Sequence, residues 1–227
     1  MKKIHDLSLS EIELKKILLR LDLNVPMENG NIIDFTRIEK IIPTLIFLLK
    51  NNTKIIIISH IGRPKGKTSE LMSLKPIAEK LENILKNSPD ASFLYGAGQT
   101  IRLLKKDLKE ITKEELFISK DEKIVMLENI RFYEEEENND DNFAKKLSSL
   151  GDIYVNDAFS CSHRSHASID KITKYLPSFA GIQFNEEIGA LKKITSEIKK
   201  PITCIIGGSK ISTKIGLIKN LIPKFDN

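Results

Sequence analysis

Apolar runs alternate with charged, turn-rich stretches along most of this chain. The uninterrupted apolar run Ile55-Ile56-Ile57-Ile58 reads as a strand buried on both faces, as in a parallel sheet. It stops at Ser59, where Gly62 and Pro64 break the pattern. Similar strands are predicted over Ile17–Asn24, Ile124–Leu127 and Asp152–Val155, with a short, weaker third strand over Ser92–Tyr95 and a further buried strand over Ile202–Ile206. Between them, Thr36–Lys50 carries Ile38, Ile41, Ile42, Leu45, Leu48 and Leu49 at helical spacing. Pro43 lies inside that pattern and should kink the helix or shift its start. Further helices are expected over Leu74–Lys86 with Ser73 as cap, Phe143–Leu150, about Asn185–Lys199 and about Ser212–Leu221. Residues 99–120 are charged and ambiguous, and the acidic run Glu134–Asp141 reads as a solvated loop and helix start.

Strand followed by helix, several times over, predicts an α/β protein. The expected architecture is a Rossmann-like three-layer parallel sheet with helices on both faces, then an incomplete second α/β domain. We place the first domain at 1–176, a hinge and interdomain helix at 177–200, and the start of the second domain at 201–227.

Composition changes this picture little. With 227 residues and 41% hydrophobics the chain can bury a core, and 30% charged residues suit a globular protein. Lys and Arg outnumber Asp and Glu by 36 to 31, a mild excess that a lysine-rich surface explains as well as an anionic partner does. The two cysteines form no CxxC pair, which suits a reducing compartment. The N-terminus has no apolar core of signal-peptide length, and no apolar run approaches the roughly 20 residues of a membrane span. A cytoplasmic protein is expected.

The positions of the arginines say more than the total charge. In an open parallel sheet, ligands bind beyond the carboxyl ends of the strands. There the chain places Asp22 and Asn24 after the first strand, with Arg37 opening the next helix. His60 and Arg63 follow the isoleucine strand, Arg131 follows Ile124–Leu127, and His163, Arg164 and His166 follow Asp152–Val155. Arginine suits phosphate and carboxylate because its planar fork binds them bidentately. Any one arginine is more often a surface or ion-pairing residue, but four together with His60 at one topological position point to a small, multiply charged anion. Competing motifs are weaker. Cys161, His163 and His166 lack a clear fourth zinc ligand. GRPKGKT is one residue short of a P-loop between Gly62 and Gly66. Ser160, Cys161 and His163 give no convincing nucleophile–base pair.

Six segments resemble phosphoglycerate kinase, in family order: RLDLNVP with NIIDFTRI, IIISHIGRPKGK, LENIRFYEEEE, VNDAFSCSHRSHAS and ITCIIGGSKISTKIGLI. The resemblance implies phosphoryl transfer between ATP and 3-phosphoglycerate, giving ADP and 1,3-bisphosphoglycerate, in glycolysis. It implies that Asp22, Asn24, Arg37, His60, Arg63, Arg131 and Arg164 bind phosphoglycerate, with Asp22 and Asn24 at its hydroxyl region. Arg37 and Lys210 would act on the transferring phosphoryl group. Gly207, Gly208 and Lys214 would meet the nucleotide, which arrives as ATP or ADP with Mg2+; no metal ligand is assigned in this chain. A monomer with no nucleic-acid or membrane partner is expected. The family pattern continues beyond Asn227, so the alternative is a catalytically inactive fragment that keeps only the phosphoglycerate-binding half. A nucleic-acid-binding protein is suggested only by the sequence pI of about 9.0, and no tryptophan is present to interleave with the basic residues. Ser160-Cys161-Ser162 stands where the family more often has Gly-Thr-Ala, and Leu23 where phenylalanine is common.

Overall fold

A computed structural model describes residues 2–28, 30–96, 98–206 and 215–226. The strands are β1 (Lys16–Leu21), β2 (Met27–Glu28), β3 (Asn31–Ile32), β4 (Lys54–Ile58), β5 (Arg102–Leu104), β6 (Ile124–Leu127), β7 (Ile153–Asp157) and β8 (Ser178–Ala180). The α-helices are α1 (Leu9–Ile12), α2 (Thr36–Lys40), α3 (Ile42–Lys50), α4 (Lys75–Asn87), α5 (Ser92–Tyr95), α6 (Glu134–Glu137), α7 (Asp141–Ser148), α8 (Ile182–Thr195) and α9 (Ile215–Leu221). The chain separates into two compact units, Met1–Asn185 and Glu186–Asn227.

Six strands of the first unit form one sheet in the order β5-β6-β4-β1-β7-β8, and every pairing in it is parallel. Strand side chains alternate between the two faces, which is why continuous apolar runs are needed here. Ile17, Leu19, Ile55, Ile57, Ile124, Met126, Ile153 and Val155 pack on one face with Leu45 and Leu48 of α3 and Ile77 and Leu81 of α4. Leu18, Ile56, Ile58, Val125, Leu127 and Tyr154 pack on the other with Phe143, Ala144 and Leu147 of α7. The result is the expected three-layer α/β arrangement.

The chain runs from β1 to β4 on one side, fills that side with β5 and β6, then crosses to β7 on the other side of β1. β1 is therefore where the winding reverses. The carboxyl ends of β4, β1 and β7 flank a crevice there.

Several local expectations change. Pro43 does not kink a continuous helix: Ile41 ends α2, and the proline lies in the first turn of α3, where its missing N–H costs nothing. Ser92–Tyr95 is a turn of helix instead of a strand. Only Tyr95 of it is fully buried, Phe93 is exposed, and the Tyr95 N–H donates to the Ala91 carbonyl at 2.8 Å. The edge strand comes from the ambiguous segment, where Arg102 is tied to Glu122 at 2.8 Å and to the Leu116 carbonyl at 2.6 Å. Ser73 is not the N-cap of α4; Leu74 holds that position, and its N–H donates to Glu128 at 2.8 Å. Within the acidic run read as solvated, Glu136 is wholly buried.

In the second unit, Ile202–Ile206 is not a strand. A strand needs a ladder partner, and none lies beside it among the described residues. The Ile202 N–H instead donates to the Asp226 carboxylate and the Asp226 N–H donates to the Ile202 carbonyl, each at 2.9 Å, and Ile205 is exposed. No described helix is long and apolar enough to cross a membrane.

One buried carboxylate ties the end of β7 to the layers around it. Asp157 accepts from the Thr44 hydroxyl at 2.5 Å and from the Phe184 N–H at 2.8 Å. Removing it leaves two donors without their acceptor. Asp157→Ala should lower stability by about 2–4 kcal/mol, read as a shift of the urea midpoint with unchanged slope.

Candidate functional site

The loops leaving β1, β4, β6 and β7 meet around a cavity of about 280 Å³. It is lined by Asp22, Asn24, Arg37, His60, Gly62, Arg63, Arg131, Ser160, Cys161 and Arg164. All seven phosphoglycerate residues expected in the first domain are in that lining. Lys65, Lys67 and His163 are exposed and do not line it. Gly207, Gly208, Lys210 and Lys214 lie outside the described residues.

Backbone and side-chain bonds lock these loops to one another. Asn24 accepts from the Gly62 N–H at 2.8 Å. Ser59 donates to the Leu21 carbonyl at 2.9 Å and accepts from the Leu23 N–H at 3.1 Å. Arg131 donates through Nη1 to the Gly62 carbonyl at 2.9 Å, while the Gly66 N–H donates to the Arg131 carbonyl at 3.2 Å. Gly66 has φ of +74°, and a Cβ there would lie 2.1 Å from Glu134 Cγ, so both conformation and space demand glycine. The loop carrying Arg63 is thus fastened to the turn carrying Arg131.

Charge in the cavity is unbalanced. Asp22 pairs with Arg37 at 2.5 Å and also accepts from Ser160. Arg131 has Glu137 at 3.6 Å from its Nε, but Nε and Nη2 have no hydrogen-bond partner although the residue is only 3% exposed. Burial pulls its guanidinium below the ordinary value, yet an arginine keeps its charge in this range. A buried, under-satisfied guanidinium beside Arg63 and Arg164 calls for an anionic acceptor.

Beneath the cavity lies a residue that sequence reasoning passed over. Arg20, inside β1, is fully buried. Its Nε donates to Ser168 Oγ at 2.9 Å, and Ser168 donates in turn to Glu136 Oε1 at 2.6 Å. The Ser168 N–H donates to Glu136 Oε2 at 2.8 Å. Burial raises the Glu136 pKa, and Arg20 opposes that shift. The signal was a single charge within the apolar run of β1.

Arg20 also determines the state of His60. Its Nη2 lies 3.1 Å from His60 Nδ1. A guanidinium can only donate, so Nδ1 accepts. Burial first, then Arg20 and Arg131, push the His60 pKa far below its ordinary value, and the ring is neutral. Its one proton therefore sits on Nε2, which faces Cys161 Sγ at 3.9 Å. His60 offers the cavity a neutral N–H donor and is no general base there.

The same proton bears on metal binding. Among the described residues, Asp22, His60 and Cys161 bring three potential ligand atoms within 4.8 Å of one another, whereas Cys161, His163 and His166 do not converge in this way. A metal would need the Nε2 lone pair, which the Arg20 contact keeps protonated. Four arginines around the cavity repel a cation further. The donor set fits an anion.

His166 sits behind this site, with Nδ1 3.8 Å from Glu136 Oε1. Burial first, then Arg131, lower its pKa from 6.5 to about 4; Arg164 and Arg20 add to this and Glu137 opposes it. The unfolded chain binds this proton near 6.5 and the folded chain only near 4, so the unfolded state takes up more protons in between. The His166 contribution is fully present above that window and is lost as pH falls through it. We expect urea midpoints to drop over this window and His166→Gln to make the drop shallower. Nitrogen-15 NMR should show His60 protonated at Nε2 only, without titration from about pH 5 to about 8.

Known proteins resemble this chain in sequence and in fold. The family model for phosphoglycerate kinase matches residues 4–227. A phosphoglycerate kinase of Wolbachia pipientis from Culex pipiens is 46% identical over 212 residues, covering 93% of this chain and 50% of the relative. One from Dictyoglomus turgidum is 42% identical over 225 residues, covering 99% of this chain and 54% of the relative. The structure of phosphoglycerate kinase from Coxiella burnetii superimposes with a TM-score of 0.82 at 32% identity, over 99% of this chain and 52% of that one. The chain spans about half the length of the curated relatives it matches. On these grounds the chain belongs to the phosphoglycerate kinase family.

Proposed function

We propose that this chain provides the phosphoglycerate-binding half of a phosphoglycerate kinase, acting in reversible phosphoryl transfer between ATP and 3-phosphoglycerate. The observation that carries the reading is the convergence of Arg37, Arg63, Arg131, Arg164 and the His60 N–H donor on one cavity, with two Arg131 nitrogens unpartnered. Each arginine offers a planar pair of donors to a phosphate or carboxylate. Asp22 and Asn24 are acceptors for the substrate hydroxyl region. Arg37, exposed and paired with Asp22, is the group proposed to turn toward the transferring phosphoryl.

Phosphoryl transfer asks a protein for position and charge neutralisation more than for covalent help. Lys210 is proposed to stabilise charge on the transferring group, and Gly207, Gly208 and Lys214 to contact the nucleotide phosphates. Mg2+ bound with the nucleotide would neutralise phosphate charge. The arginine-lined cavity does not fit that ion. The proposed setting is cytoplasmic and the proposed form a monomer. Binding without turnover is the second reading, because every residue lining the arginine cavity lies in the first unit.

Calorimetric titration of the chain with 3-phosphoglycerate should show one saturable site. Arg131→Ala and Arg63→Ala should each weaken it by about 10–100-fold, the range of one lost charge-assisted contact. Unchanged affinity in both variants would refute the site. A coupled assay with ATP would separate transfer from binding alone.

A further inference from the structure

Cys161 lies on the wall of the arginine cavity and nothing in the phosphoryl-transfer reading uses it. It stands in the 3-10 turn Phe159–Cys161, whose backbone is fixed by Cys161 N–H to the Ala158 carbonyl at 3.1 Å and Arg164 N–H to the Cys161 carbonyl at 3.0 Å. Only 5% of the residue is exposed, and its place in the lining gives a reagent its route to the sulfur. The His60 Nε2–H is directed at that sulfur from 3.9 Å. An independent observation marks the same cavity as a place for a ligand: the buried Arg131 guanidinium leaves Nε and Nη2 without acceptors.

We propose that Cys161 is a covalent modification site for small anionic electrophiles, which the cavity arginines gather and hold beside its sulfur. The substrate class carries a carboxylate or phosphate next to a carbon bearing a leaving group. For an α-halocarboxylate the balance is simple. The thiol gives its proton to solvent, the sulfur lone pair attacks the carbon, the C–S bond forms as the C–halogen bond breaks, and halide departs with the bonding electrons. The adduct leaves a carboxylate fixed among Arg63, Arg131 and Arg164, which fills the cavity and excludes its reversible ligand. Gathering acts through the field and through proximity, so it favours an anionic reagent over a neutral one of the same size. The proposal rests on the anion-binding part of the reading above and not on phosphoglycerate as the anion.

Cys204 is an internal control. It lines an apolar cavity in the second unit with Ile206, Ile218, Leu221, Ile222, Phe225 and Asp226, and no arginine lines that cavity. The native chain is treated with iodoacetate or with iodoacetamide, and the rate at each cysteine is followed by peptide mass spectrometry. The iodoacetate-to-iodoacetamide rate ratio at Cys161 should exceed that at Cys204 by about tenfold or more, within the range for a field focused by a charged cleft. Inorganic phosphate should slow iodoacetate at Cys161 and leave Cys204 unaffected. Arg63→Ala, at an exposed rim position, should reduce the Cys161 ratio. Equal ratios at the two cysteines, or no protection by phosphate, would overturn the proposal. So would labelling of Cys161 only after unfolding in urea. If phosphate protects and 3-phosphoglycerate does not, the modification site stands and the phosphoglycerate reading fails. If 3-phosphoglycerate binds while the ratios are equal, the reverse holds.

Discussion

A guanidinium buried without water must be met on all sides, and Arg20 is met by the groups that define the site. It reaches Ser168 and, through it, Glu136 on one side, His60 on the other, and its neighbour Leu21's carbonyl at 2.5 Å. A buried polar network of this kind must be satisfied throughout, because removing one member strands the others. Four separate stretches of chain, β1, the turn after β4, α6 with Glu136 and the loop with Ser168, must therefore arrive in one arrangement. His60 is presented to the cavity in a single tautomer because of it. The arginine-lined cavity sits against that buried network.

The architecture was legible because apolar runs of three or four residues, repeated between helical patterns, have few other solutions than a covered parallel sheet. The candidate ligands were legible for a related reason. Once the strands are parallel, whatever follows each strand collects at one edge, so Asp22, His60, Arg131 and Arg164 could be grouped without knowing any distance. What stayed hidden depended on partners distant in sequence. Arg20 read as part of a strand because its purpose lies in Ser168 and His60. Glu136 read as one more acid in a run of acids, since its neighbours are all on the surface. Ser92–Tyr95 was misread because four residues are too few to distinguish periods of 2 and 3.6.

Ile202–Ile206 is a different kind of departure. Its composition is that of a core strand, yet a strand is a property of a pair of segments and not of one. Cys204 and Ile206 instead line a cavity with Leu221 and Phe225, and Ile205 faces solvent. Propensity alone could not create the missing ladder.

The position of β1 at the reversal of the winding has a consequence for how the protein is made. β1 needs β4 on one side and β7 on the other, and β7 begins only at Ile153. A chain emerging from N-terminus to C-terminus can lay down the β1–β4 pair early, because their separation is modest. Arg164 and Ser168 come last among the groups around the cavity. Until they arrive, Arg20 lacks Ser168 and, through it, its link to Glu136, and until β7 arrives one side of β1 is an open strand edge. Closing that edge with β7 also brings in the segment that carries Arg164 and Ser168, so an open strand edge and an unfinished cavity disappear together.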